Sequence, residues 1–268
     1  MTTLIHPTAI VDPAAQIGDN VQIDAYAIVE ADTVIGDGTV LKSHAVVRRF
    51  TTLGQNNTVD SFAVLGGEPQ DMKFNSADET YLLIGDTNTF REGVTISRAA
   101  GIGNATTVGS DTYWMACSHA GHNSTVGDNA TLVNYACLAG HTELGKRALI
   151  SGYVGVHQFC WVGEGAMGQG RTAITTHVPP FCLSTHNNSV CGINTVGMRR
   201  AGYSGEDRME VKEAFKILFR SGLTTSKALD SLESNKNWGP AATLFTQFVR
   251  RALEAEGSSH RGLPRYGS

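Results

Sequence analysis

The chain has 268 residues, of which 41% are hydrophobic and only 17% charged, with 30 glycines. That length permits one or two domains with a real core, and the glycine content suits a turn-rich β protein better than a helical bundle. The net charge of −4 divides unevenly: residues 1–198 hold 9 Lys/Arg against 17 Asp/Glu, while residues 199–268 hold 12 against 8. An acidic body argues against a nucleic-acid partner; the basic C-terminal segment fits either an acidic protein partner or a solvated helical face.

Five cysteines, an odd number with no C-x-x-C pair, argue against a disulfide framework or zinc ribbon and for a reducing compartment. The start "MTTLIHPTAIV" has no basic segment leading into an apolar one, and no apolar run approaches a membrane span. A cytoplasmic protein without stable membrane insertion is expected.

From the N-terminus an internal repeat dominates. Val11, Ile17, Ile23, Val29, Ile35, Leu41, Val47, Leu53, Val59 and Leu65 follow at intervals of six, mostly with Gly or an acid after each and a small residue two before. Period six is neither the helical 3.6 nor simple alternation. It predicts an all-β solenoid, three hexapeptides to each 18-residue triangular coil, with the aliphatic residue inside the prism. The phase breaks at residues 66–83, where "GGEPQDMKFNSADETY" lacks the pattern and predicts a loop excursion. The period then resumes at Ile84, Phe90, Ile96, Ile102, Val108 and Trp114. It continues from Ala120 to Ile174, with Gly168 the one slot lacking a side chain.

The solenoid is thus expected over residues 1–190 and a helical domain over 191–256, where it would cap the open end. Ser204 and Asp207 make a capping-box start for a helix with Val211, Phe215 and Leu218 on its apolar face, and Pro240 opens a last helix. Residues 257–268 read as a disordered tail.

In an 18-residue coil, residues 18 apart stack at about 4.8 Å, as neighbouring strands do. His122 therefore lies in a column with Gly140 and Gln158, Asn123 in a column with His141, and His157 one residue away; His119 falls near the same corner. A single histidine in a solenoid turn is ordinarily a solvated surface residue, but the ladder of His122, His141, His157 and Gln158 along one edge suggests a site. Such a column can supply a base for proton transfer, a metal site, or a hydrogen-bonding wall for a polyhydroxyl ligand. Histidines from neighbouring coils can bind zinc as in the γ-type carbonic anhydrases, but those use a His pair five apart, whereas "HAGH" spaces it by three. In acyl transfer, a neutral imidazole would take a hydroxyl proton, and a glycine N–H one coil away, such as that of Gly140, would hold the oxyanion.

The motifs "HPTAIVDPAAQIGDNVQI", "PQDMKF", "HAGHNSTVG", "LAGH", "VGVHQFCWVG", "VPPF", "GINTVGMRRAGY" and "AFKILFRSG", in this order along nearly the whole chain, resemble the LpxA family of UDP-N-acetylglucosamine O-acyltransferases. The resemblance implies a homotrimer of left-handed parallel β-helices with C-terminal helices and sites between subunits. It implies a 3-hydroxyacyl donor on acyl carrier protein, a UDP-sugar acceptor, and no cofactor or metal. On motif position His122 matches the general base and Gly140 the oxyanion donor. Asp71, Lys73, His119, His141, Gln158, Asn194 and Arg200 match substrate contacts, with His157 adjoining them. Gly170 matches the position that limits acyl-chain length, and Lys212, Lys216 and Arg220 form a basic face suited to the acidic carrier protein.

The chain departs from the family pattern at informative places. Asn123 stands where the family usually has an Asp that orients and charges the catalytic imidazole, which predicts a weaker base or an easier nucleophile such as an amine. Ser97 replaces a common His, Val196 an acidic residue, and Ala201 the second of a basic pair. The alternatives left by the residues are acylation of another sugar nucleotide such as a 3-amino sugar, a carbonic-anhydrase-like metal enzyme, and a catalytically silent trimer that binds carrier or nucleotide.

Overall fold

The computed structural model of the chain describes residues 2–186, 188–235 and 237–267. Short strands stack into three sheets of twelve, nine and eight strands. Successive coils pair in parallel, Leu4 with Gln22 and Ile10 with Ile28, so the three sheets form the faces of a parallel β-helix. The aliphatic slots face inward: Ile23, Leu41, Val59, Phe90, Trp114, Leu132 and Ile150 are buried along one face. At Gly168 an added Cβ would meet Ile174 Cδ1 at 3.2 Å and Val154 Cγ1 at 3.4 Å, so neighbouring side chains already occupy that slot.

From the second coil onward the corners turn through a left-handed residue that recurs at six-residue spacing, among them Tyr26, Asp32, His44, Phe50, Asn56, Phe62, and later Cys117, Asn123, Asn129, Tyr135 and His141. A bulky residue in this region is strained by about 1–2 kcal/mol. Stacking along the corner offsets part of that, with ring centroids 5.2 Å apart for Tyr26–His44, 5.1 Å for His44–Phe62 and 4.9 Å for Tyr135–Tyr153.

The glycines that follow inward residues of the eight-stranded sheet have a different cause. A Cβ on Gly145 would lie 2.5 Å from the Glu164 nitrogen and 2.7 Å from the Gly163 carbonyl carbon, both backbone atoms that cannot yield. Gly145→Ala is expected to destabilise the chain by about 2 kcal/mol, seen as a lower denaturation midpoint in urea.

Two excursions interrupt the coils, one more than the sequence predicts. The first occupies residues 68–80, between strands Val64–Gly67 and Tyr81–Ile84, a shorter span than expected. The second follows Ser97: Ile84 pairs with Val108 and Thr95 with His119, 24 positions apart instead of 18. Ile102, expected inside the prism, is therefore 77% exposed on this second loop. An insertion of six residues leaves a six-residue period in phase, so the repeat cannot reveal it.

Helices α1 (Thr195–Arg200), α2 (Gly205–Arg220), α3 (Thr225–Ser234) and α4 (Pro240–Glu254) follow. Ser204 and Asp207 form the capping box of α2, whose buried stripe is Val211, Ala214, Phe215 and Leu218. The core face of α4 is Ala241, Ala242, Phe245 and Val249; Leu244 and Phe248 lie on its flank. The solenoid is closed first by an antiparallel hairpin, Cys182–Thr185 with Ser189–Ile193, laid on strand Met167–Gly168, and not by helices alone.

The tail is ordered, contrary to its composition. Strand Arg265–Tyr266 pairs with Ser189–Ile193, and His177 holds the segment before it. His177 Nδ1 accepts from the Trp161 N–H at 3.0 Å, so its proton sits on Nε2, which donates to Ser259 O at 2.8 Å. Its own N–H donates to Gly262 O at 2.9 Å. Burial pushes His177 below the ordinary imidazole value, in keeping with a ring that must stay neutral to accept. Backbone pairing and buried partners, invisible in a polar sequence, order this segment.

Candidate active site

A hollow of about 480 Å³ lies on the nine-stranded face, beside the corner that carries His122. Outward residues of four successive strands, His119, Cys137, Gly155 and Ala173, run along it. Burial pushes the Cys137 thiol up, so this wall is neutral. His119 sends Nδ1 to Thr95 Oγ1 at 2.8 Å, and burial holds it below the ordinary imidazole value, the Thr95 contact opposing. Both effects leave an uncharged, shallow channel, chemistry suited to a hydrocarbon chain.

His122 sits at the polar rim of this channel. Its Nδ1 lies 2.7 Å from Asn123 Oδ1, and the orientation of that amide is fixed by the second excursion. The Ala100 N–H donates to Asn123 Oδ1 at 2.9 Å, while Asn123 Nδ2 donates to Ala100 O at 3.0 Å. Turning the amide over would set N–H against N–H and oxygen against oxygen, so Oδ1 must face the imidazole. An oxygen there can only accept, so the proton of a neutral His122 sits on Nδ1 and Nε2 carries a free lone pair. Asn123 is itself a left-handed corner residue at φ 59°, a conformation that Asn tolerates well.

Above this nitrogen lies Gly140. A Cβ there would meet His122 Nε2 at 2.8 Å and Cε1 at 2.9 Å, so only glycine leaves room for the ring. Ala139 N donates to Val156 O and His141 N to His122 O, whereas the Gly140 N–H between them meets no backbone carbonyl among the described residues. Gly121 keeps that N–H uncovered, because a Cβ there would lie 2.7 Å from the Gly140 nitrogen. A proton acceptor and an unpaired N–H donor thus share one rim.

The other residues singled out in the sequence divide. His157 and Gln158 line the hollow, and the ordered tail holds them: Arg261 Nη2 donates to His157 Nδ1 at 2.8 Å and Nε to Gln158 O at 3.1 Å. His141 stands edge-on to His122 at 5.1 Å and stacks on Phe159 at 4.7 Å, outside the lining. Burial, with the His122 ring adding to it, pushes His141 below the ordinary imidazole value. Asp71 and Lys73 are exposed on the first excursion, Lys73 N donating to Asp71 Oδ1 at 2.9 Å.

Asn194 caps α1, accepting from Gly197 N at 2.9 Å and donating to Gly165 O at 3.0 Å. Arg200 is exposed in the last turn of that helix, and Gly170 is exposed at the corner that leads into Ala173, outside the lining itself. Lys212, Lys216 and Arg220 share the exposed face of α2, but Lys216 is paired with Glu213 at 3.3 Å. Among the described residues no three His, Cys, Asp or Glu side chains are grouped to hold a metal ion.

The hollow also contains residues the sequence reading missed. Cys137, Gly155 and Ala173 follow His119 at intervals of 18, so the column rule would have found them. Gln70, which lines the hollow, and Ala100, which lies behind it and holds Asn123, come from excursions, which no periodicity locates.

Comparison with known proteins agrees over the whole length. Residues 177–263 match the sequence profile of UDP N-acetylglucosamine O-acyltransferase, domain 2, and residues 14–49 that of the bacterial transferase hexapeptide (six repeats). The acyl-[acyl-carrier-protein]–UDP-N-acetylglucosamine O-acyltransferase of Janthinobacterium sp. (strain Marseille) is 43% identical, the match covering 98% of this chain and 100% of the relative. The protein of the same name from Anaeromyxobacter dehalogenans (strain 2CP-C) is 47% identical, covering 97% and 99%. The solved structure of LpxA from Acinetobacter baumannii is 38% identical and superposes with a TM-score of 0.90 over 98% of this chain and 100% of that one. With identity of this order over nearly the full length of both chains, the chain belongs to the LpxA family of UDP-N-acetylglucosamine O-acyltransferases.

Proposed function

We propose that the chain transfers a 3-hydroxyacyl group from the thioester of acyl carrier protein to the 3-hydroxyl of UDP-N-acetylglucosamine, the first step of lipid A biosynthesis. The observation that carries the mechanism is the proton-free Nε2 of His122 beside the uncovered Gly140 N–H. His122 Nε2 takes the proton of the acceptor hydroxyl as its oxygen attacks the thioester carbonyl. The Gly140 N–H stabilises the resulting oxyanion. Collapse re-forms the carbonyl and breaks the C–S bond, and the imidazolium returns the proton to the leaving thiolate. No cofactor is consumed.

Asp71, Lys73, Asn194 and Arg200 lie off the hollow of a single protomer. We assign them to the acceptor, Asn194 and Arg200 across a subunit boundary of a homotrimer and Asp71 and Lys73, on the excursion that brings Gln70 to the hollow, on the catalytic side with His119, His157 and Gln158. Exposed Tyr26, Phe62, Tyr135 and Tyr153, aligned on one corner, supply an apolar seam for that association. Carrier docking falls to Lys212, Lys216 and Arg220, and chain length to Gly170. Among the described residues no helix is long and apolar enough to cross a membrane, and the five cysteines are free. Both features fit a reaction in the cytoplasm, where we place it.

The test is to incubate the protein with carrier thioesters of graded chain length and either UDP-N-acetylglucosamine or its 3-amino analogue, then identify products by mass. Acylated UDP-N-acetylglucosamine is the expected product. Acylation of the amine alone would replace the acceptor, and no product in any arm would overturn the reading.

Asn123→Asp is expected to move the acidic limb of the kcat/KM–pH profile upward, because a carboxylate favours the imidazolium. It also sets a second carboxylate oxygen against Ala100 O in place of the Nδ2 donor, at a separation of 3.0 Å. A loss of about 1–3 kcal/mol in stability is expected from that lost bond and facing oxygens. Restoring the family's acid thus destabilises this chain, which thermal unfolding checks.

A further inference from the structure

Arg98 is 2% exposed, one of the largest fully buried side chains, yet it lies outside the prism and the mechanism does not use it. Its Nη1 donates to Asp78 O at 3.1 Å and its Nη2 to Ser76 O at 3.5 Å, while Glu68 lies 3.6 Å away. The guanidinium also rests between the rings of Phe50 at 5.3 Å and Phe74 at 5.1 Å. Glu68 opens the first excursion, and Ser76 and Asp78 belong to its return. Both limbs are therefore gathered on one cation rooted in the solenoid. Between them lie Gln70, which lines the hollow, and Asp71 and Lys73.

We infer that Arg98 is a positioning residue for the sugar-nucleotide acceptor, fixing the excursion that carries Gln70, Asp71 and Lys73 against the His122 rim. The inference rests on the acyltransferase reading and adds a specific division of labour. The backbone of the same segment is held independently of the side chain: Arg98 N donates to Gly67 O at 2.8 Å and Ala99 N to Tyr81 O at 3.1 Å. Ala100, which orients Asn123, keeps its place when the guanidinium is lost. Acceptor binding therefore depends on Arg98, while the His122 dyad and the donor channel of Cys137, Gly155 and Ala173 do not.

A methionine fills much of the same apolar volume between two rings, and replacing a buried charge by a hydrophobe of similar size is often tolerated. Arg98→Met is thus expected to fold, to raise the KM for the UDP-sugar about tenfold or more, and to leave kcat and the KM for the acyl donor within about twofold. Arg98→Lys, a point charge able to reach one carbonyl, is expected to fall between the two. A second readout needs no activity. Trypsin should cut after exposed Lys73 several-fold faster in Arg98→Met, because the loop around it is released. Equal rises in both KM values, an unchanged acceptor KM, or an unchanged cleavage rate would each overturn the inference. Absence of turnover in the parent would count against the acyltransferase reading, leaving the cleavage assay to judge Arg98.

Discussion

His122→Ala is expected to lower kcat/KM by about 10³-fold, the middle of the range for a positioned general base. The loss should fall on kcat, because the ring's contribution is a proton transfer made only as the acceptor oxygen attacks. The fold gives the experiment a clean background. His122 is half-buried, and removing its ring leaves Asn123 Oδ1 still accepting from the Ala100 N–H, so no buried polar atom is orphaned. A melting temperature within about 3 °C of the parent is therefore expected. The pH profile supplies the decisive check. In the parent, Nε2 stops accepting once the imidazole is protonated, which gives the rate an acidic limb. The residual rate of His122→Ala, sustained by binding and the Gly140 N–H, should lack that limb. Unchanged turnover with the limb intact would remove His122 from the mechanism.

The solenoid was legible because its physics is periodic: one inward residue per six, one tight corner, one coil per 18. Stacking columns follow from that period, and they bring His122, Gly140 and Gln158 together correctly, as the pairing of Ala120 with Leu138 and of Leu138 with Val156 shows. What the period could not carry is everything that leaves the coil. The second excursion adds one repeat length and so hides in phase, taking Ile102 out of the prism and bringing Ala100 to Asn123. The tail from Gly257 has little apolar patterning, yet it is ordered through backbone pairing and His177. Asn123 illustrates the same limit at one residue. In the sequence it is a weakened substitute for an acid; in the structure its amide donor and acceptor both have partners that a carboxylate could not match.

Gly140→Ala tests whether the rim is built around the imidazole. The added methyl would lie 2.8 Å from His122 Nε2, 2.9 Å from Cε1 and 3.2 Å from Cδ2, closer than carbon and ring atoms approach. Gly140 is not among the positive-φ glycines, so alanine meets no backbone penalty and the clash falls on the ring alone. The ring is free to swing toward the hollow, which limits the cost in stability to about 1 kcal/mol. Swinging breaks the 2.7 Å contact with Asn123 and turns Nε2 away from the Gly140 N–H. A misplacement near 1 Å at a reacting atom costs about 10²-fold in rate. Gly140→Ala is therefore expected to lose about 10²-fold in kcat/KM while it folds nearly as well as the parent. Because both variants disable the same imidazole, His122→Ala/Gly140→Ala should be scarcely slower than His122→Ala alone. A double variant slower by the full product of the two losses would mean that Gly140 acts chiefly through its N–H, independently of the ring.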